Sequence, residues 1–309
     1  MRRLLVSIVV TVLMAGLASG KIFAEGAPGW LQKDLAELTD MFEGRWDNDR
    51  HVFFAEAAGI DLHTVAPRQH IEISRLSSRE EASEETMAEF LAVRTVEGAA
   101  PARLIHRFAI DAQHQTIRQS VFVPDEDGNA AAFDCYFDWR RDGVQFRAKA
   151  SGGDCDVMFP RPVDSGSLEV TMTLSQTEFW VASARGDLEV EARMRRVRPF
   201  ECWTAILRGA EHGDSGEGMR DWDFRRGIKL HDQGGVAELI TDEETPRKIR
   251  LRLRDVDWTY GTNRPSLTLY VMEGDSDRAV SYAWGEAGAE RIGLNLRWLQ
   301  VSCTHMPAK

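Results

Sequence analysis

From Trp30 to Phe42, apolar residues recur at Leu31, Leu35, Leu38, Met41 and Phe42. This spacing of three and four predicts an amphipathic helix, ended by the glycine and turn formers of Glu43-Gly44-Arg45-Trp46-Asp47-Asn48. Phe53, Phe54 and Ala57 add a short second helical segment. Past Pro67 the period drops to two. Alternating segments at 70–76, 87–95, 102–111, 116–123, 132–140, 144–150, 168–175, 178–184 and 189–197 predict strands. The turns between them fall at 126–129, Arg141-Asp142-Gly143 and Arg185-Gly186-Asp187, where Asp-Gly or Gly-Asp supplies the positive dihedrals of tight hairpins. Many short strands without intervening helices predict an antiparallel meander closed into a barrel or folded as a sandwich.

The stretch 208–220 is rich in glycine, serine and mixed charge and reads as a linker. Behind it, strand segments at 237–241, 248–259, 267–273, 278–285 and 291–302 predict a second, smaller antiparallel β unit over 221–309, after a barrel domain over 30–207. Trp222, Phe224, Trp258, Tyr260, Tyr270, Tyr282, Trp284 and Trp298 sit at strand-like intervals and are expected as core and cross-strand partners, in preference to a sugar-binding platform. The charge-rich strands, such as Lys248-Ile249-Arg250-Leu251-Arg252-Leu253-Arg254, argue against an outer-membrane barrel, as does the ending Met306-Pro307-Ala308-Lys309.

Met1-Arg2-Arg3, an apolar run from Leu4 to Leu17, and then Ala18, Ser19 and Gly20 read as a secretory signal over 1–20, cleaved after Gly20 or, as a second choice, Ala24. Export to the periplasm or the extracellular space follows, with no membrane span after cleavage. Losing Arg2 and Arg3 takes the formal charge from -11 to -13. Such a surface repels phosphate backbones and anionic lipid, so nucleic acid is not an expected partner.

Cys135, Cys155, Cys202 and Cys303 all lie in the mature part. An even count in an oxidising compartment predicts two disulfides, with three connectivities open. No Cys-x-x-Cys supports a zinc ribbon or redox dithiol. Gly213-Asp214-Ser215-Gly216 looks like a serine-protease nucleophile segment, yet no histidine-bearing partner motif accompanies it. The eight histidines are scattered and form no local ligand pair, so no metal is expected. His231-Asp232-Gln233-Gly234-Gly235 reads as a turn.

One ordered set carries more. It runs Leu38-Thr39-Asp40-Met41-Phe42-Glu43-Gly44-Arg45-Trp46-Asp47-Asn48, Arg68-Gln69-His70-Ile71, Pro101-Ala102-Arg103, Asp134-Cys135-Tyr136-Phe137-Asp138-Trp139-Arg140-Arg141-Asp142-Gly143-Val144-Gln145-Phe146, Gly153-Asp154-Cys155 and Phe200-Glu201-Cys202-Trp203. Over about 30–203 this resembles the CpcT/CpeT chromophore lyase family, whose members attach open-chain tetrapyrroles to phycobiliprotein cysteines. Where that family often has Tyr-Arg-Gln-Arg, this chain has Ala102-Arg103-Leu104-Ile105, so only Arg103 matches.

The resemblance implies a calyx-like antiparallel barrel with a ligand cavity. A lyase of this kind requires no cofactor of its own. It binds a tetrapyrrole, pairs the propionates with arginines and presents the pigment to a thiolate. The residues expected to line such a cavity are Arg45, Trp46, His70, Arg103, Arg118, Trp139, Arg147 and Trp180. Three functions compete: a bilin lyase; a non-catalytic envelope carrier of an apolar carboxylate, with the C-terminal unit docking a protein partner; and a scaffold with filled cores.

Overall fold

The computed structural model describes residues 28–76, 88–124, 130–151, 155, 168–209, 221–257 and 264–307. The signal segment, the 126–129 turn, the Gly213-Asp214-Ser215-Gly216 segment, nearly all of the linker, Trp258 and Tyr260 lie outside them.

Helix α1 (Gly29–Phe42) buries the predicted stripe of Leu31, Leu35, Leu38, Met41 and Phe42. It leads directly into β1 (Gly44–Asp47) and then α2 (Asp49–Ala58). The remaining barrel strands are β2 (Gln69–Arg75), β3 (Ala88–Val96), β4 (Ala102–Asp111), β5 (Thr116–Pro124), β6 (Ala130–Asp142), β7 (Gln145–Ser151), β8 (Glu169–Leu174), β9 (Glu178–Arg185) and β10 (Leu188–Arg196). All pair antiparallel in chain order, and β1 sits between β10 and β2, so the sheet closes into a ten-stranded calyx-like barrel. The tetrad Gly44-Arg45-Trp46-Asp47, expected to be a turn, is the strand that removes both open edges.

Side chains from α1 share one core with the barrel interior. Phe42 meets Phe108 edge-on at 5.0 Å and Phe90 at 5.6 Å. The helix is also tied electrostatically, because Arg141 donates to Asp34 at 2.7 Å and to Glu37. Arg196 reaches back to donate to the carbonyls of Met41 and Glu43, satisfying acceptors that the helix end leaves open. Gly44 has φ +130, a backbone conformation that L side chains rarely adopt, and a Cβ there would also crowd the Arg196 guanidinium, so glycine is favoured at this crossing.

The second unit is a sandwich of two four-stranded sheets. Its strands are β11 (Pro199–Leu207), β12 (Trp222–His231), β13 (Gln233–Ile240), β14 (Lys248–Val256), β15 (Ser266–Glu273), β16 (Ala279–Glu286), β17 (Arg291–Asn295) and β18 (Leu299–His305). One sheet runs β12-β11-β18-β17 and the other β13-β14-β15-β16. Both contribute to a single core that includes Phe200, Ile206, Ile249, Leu251, Leu253, Leu269 and Val301.

Three sequence expectations change here. The 199–207 segment, grouped with the barrel, pairs with β12 and β18 instead, because its alternation continues into the second core. The 291–302 segment divides into β17 and β18. Phe224 and Trp284 are exposed at 69% and 73%, whereas Tyr282, though exposed, pairs across strands with Tyr270 at 6.3 Å between ring centroids, and Trp298 is buried, both as expected.

The cysteine pairing is Cys135–Cys155 in the barrel and Cys202–Cys303 across β11 and β18. Two disulfides fit an oxidising, exported environment. No described helix is long and apolar enough to cross a membrane.

Candidate functional site

Strand parity decides what enters the barrel. In β3, Ala88, Phe90 and Ala92 point inward, and Arg94 continues the same alternation. In β9, Phe179, Val181 and Ser183 point inward, and Arg185 continues that set. Both arginines stand at strand ends remote from α1. Near α1 the interior is filled by Phe42, Phe90, Phe108, Phe137, Trp139 and Phe146, each at 1% exposure or less.

Toward the opposite end the filling stops, leaving a cavity of about 110 Å³. Its walls are mostly aliphatic, with Ile71, Ala92, Leu104, Met172, Val181 and Val190 among them. Among the described residues, the polar groups on the wall are Gln69, Arg94, His106, Gln119, Ser183 and Arg185. Burial holds the Arg94 guanidinium below its usual pKa.

A buried hydrogen-bond chain sets the state of the imidazole. Trp139 Nε1, a pure donor, gives its hydrogen to Gln119 Oε1 at 2.7 Å. Gln119 therefore presents its NH₂ to His106 Nδ1, also at 2.7 Å. Nδ1 must accept, so the ring is neutral with its proton on Nε2. Burial alone pushes the His106 pKa down to about 4. The cavity wall thus carries two guanidiniums together with further hydrogen-bond donors.

The residues expected to line a cavity are distributed otherwise. Trp46 and Trp139 do point inward, but both are fully buried in the packed part, and neither lines the cavity. Arg103 and Arg147 are exposed, the latter beside Asp142 at 2.8 Å. Arg118 bridges Asp111 and Asp138 on the outer face, over the Tyr136 ring. Trp180 is on the outer face under Arg193. Arg45 and His70 flank the inward Trp46 and Ile71 and so face away from the interior, His70 turning to Asp47. The reason is common to all: each outward residue neighbours in sequence an inward apolar one.

No protein-family profile and no curated protein matches the chain. Among solved structures it is similar to the T-type phycobiliprotein lyase CpeT from Prochlorococcus phage P-HM1, at 11% identity and a TM-score of 0.33, covering 52% of this chain and 96% of that one.

Proposed function

We propose that the barrel is a binding calyx for an apolar molecule carrying a carboxylate, received in the cavity opposite α1. The observation that carries this reading is the wall itself: aliphatic over most of its area, with the guanidiniums of Arg94 and Arg185 on it. A carboxylate entering this space meets cations already partly stripped of water, where charge-assisted hydrogen bonds are strong. The hydrocarbon part then replaces water against the aliphatic walls.

Size favours a small ligand. Pockets for drug-sized molecules run to about 300 Å³ or more, and an open tetrapyrrole belongs to that class. A cavity of about 110 Å³ suits a short aliphatic carboxylate better than a bilin. The bilin-lyase activity implied by the sequence resemblance is the second reading, and it requires this space to widen. In both readings the barrel holds its ligand outside the reducing cytoplasm.

Calorimetric titration of the disulfide-intact protein with octanoate, dodecanoate and biliverdin separates the two. Saturable octanoate or dodecanoate binding with no shift in biliverdin absorbance supports the carrier. A saturating biliverdin shift followed by transfer to an acceptor thiol supports the lyase. Absence of binding to all three removes the calyx reading altogether.

A further inference from the structure

On the outer side of the barrel, where β1 and β2 face the second unit, three side chains from distant parts of the chain converge. Asp47 ends β1, His70 lies opposite it in the β1–β2 register, and His231 ends β12. One ligand-capable atom from each lies within 4.8 Å of the other two. His70 Nδ1 stands 3.1 Å from Asp47 Oδ2. The two imidazole rings lie 5.5 Å apart between centroids, tilted by 34°.

We propose that Asp47, His70 and His231 form a site for a divalent transition metal, with Zn²⁺ as its natural probe, on the seam between barrel and sandwich. Two imidazole nitrogens and one carboxylate oxygen are a familiar ligand set for such ions, with the remaining positions left to water or a bound anion. Bond lengths of about 2.0–2.1 Å in tetrahedral geometry place ligand atoms roughly 3.3 Å apart. The His70–Asp47 pair is at that separation already, and the third ligand closes the rest by side-chain rotation.

Two further observations support the assignment. His231 Nδ1 is buried with no hydrogen-bond partner, an unusual condition for an imidazole nitrogen. Asp47 is held as a metal-bound carboxylate is commonly held: its Oδ1 accepts the Asp49 amide at 2.7 Å, which fixes the group and leaves Oδ2 facing the histidines.

Arg68 is the competing cation, 3.3 Å from Asp47 Oδ2. It has other acceptors in place, Asp49 at 3.0 Å and the Gln233 carbonyl at 3.0 Å, so it can yield Asp47 without losing its ion pair. The metal would bond the barrel to the sandwich directly, a role distinct from the interior cavity.

The test is metal stoichiometry on the full disulfide-bonded chain, first stripped with chelator. The expected result is one Zn²⁺ per chain, retained through gel filtration and undisturbed by excess Mg²⁺ or Ca²⁺. His70→Ala and His231→Ala should each weaken binding by at least about ten-fold. Co²⁺ bound to the unmutated protein should give visible ligand-field bands of a site with two nitrogen ligands, a readout independent of whether any variant folds. Sub-stoichiometric Zn²⁺, or unchanged affinity in a folded His70→Ala/His231→Ala protein, overturns the proposal.

Discussion

Arg254 grips Asp49 through Nε at 2.8 Å and through a terminal nitrogen at 3.2 Å, with both side chains almost wholly buried between the sandwich and α2. The guanidinium also lies over the Phe53 ring at 4.1 Å. Among the described residues this is the deepest ion pair between the two units, and it joins residues that sequence separates by 205 positions.

Replacing Arg254 with leucine strands a buried carboxylate, which typically costs about 3–5 kcal/mol. Arg68 keeps one contact to Asp49 and should hold the loss to the lower end of that range. Arg254→Leu/Asp49→Leu should recover part of it, because no uncompensated charge remains. Urea unfolding of the three proteins at one pH measures this, and a double variant less stable than Arg254→Leu contradicts it.

Acid stability should depend on His106. Its folded pKa of about 4 lies below the usual 6.5, so the unfolded chain binds a proton more readily. The stabilisation from keeping it neutral is complete above pH 6.5 and is lost as the pH falls from there toward 4. Between pH 7 and 5 the loss from this one group is about 2 kcal/mol. His106→Gln cannot titrate, so its unfolding midpoint should change less over that interval than that of the unmutated protein.

The two disulfides should differ in worth. Cys202–Cys303 closes a separation of 101 residues and Cys135–Cys155 one of 20. Chain-entropy reasoning assigns roughly 5 kcal/mol to the first and roughly 3 to the second. Paired serine variants compared by thermal unfolding test the order. Equal losses would show that the sandwich retains residual order when unfolded.

Ligand affinity should track the inward arginines and ignore the outward ones. Losing a charged hydrogen bond costs about 1.5–3 kcal/mol, so Arg94→Met and Arg185→Met should each weaken octanoate or dodecanoate binding by ten-fold or more. Arg103→Met and Arg147→Met should leave it unchanged. Calorimetry on the four variants decides the matter, and equal effects from the two pairs would place the anion site elsewhere.

The barrel was legible because each of its strands from β2 to β10 buries one face, which writes a period of two into the chain. β1 was not. Four residues are too few to display a period, and Gly44 reads as a terminator; its strand state comes from neighbours in β2 and β10 that are remote in sequence. The site was legible in part. Arg94 follows Phe90 and Ala92, and Arg185 follows Val181 and Ser183, at even spacing, so parity alone aims them inward. The expected Arg118 and Arg147 instead adjoin the inward Ile117 and Phe146 in sequence and therefore face outward themselves. The meeting of Asp47 and His231 had no local signal, because the docking of two separately patterned units creates it.

Closure of the barrel at β1 also fixes an order of events. Trp46 finds its β10 partner Arg196 only after some 150 intervening residues have been made available. Joining ends so far apart is entropically slow. Until that happens α1 has no Arg196 on its final carbonyls and β2 keeps a bare edge, so the nascent sheet remains an open, pairing-competent template during the interval when a folding chain is most exposed to its neighbours.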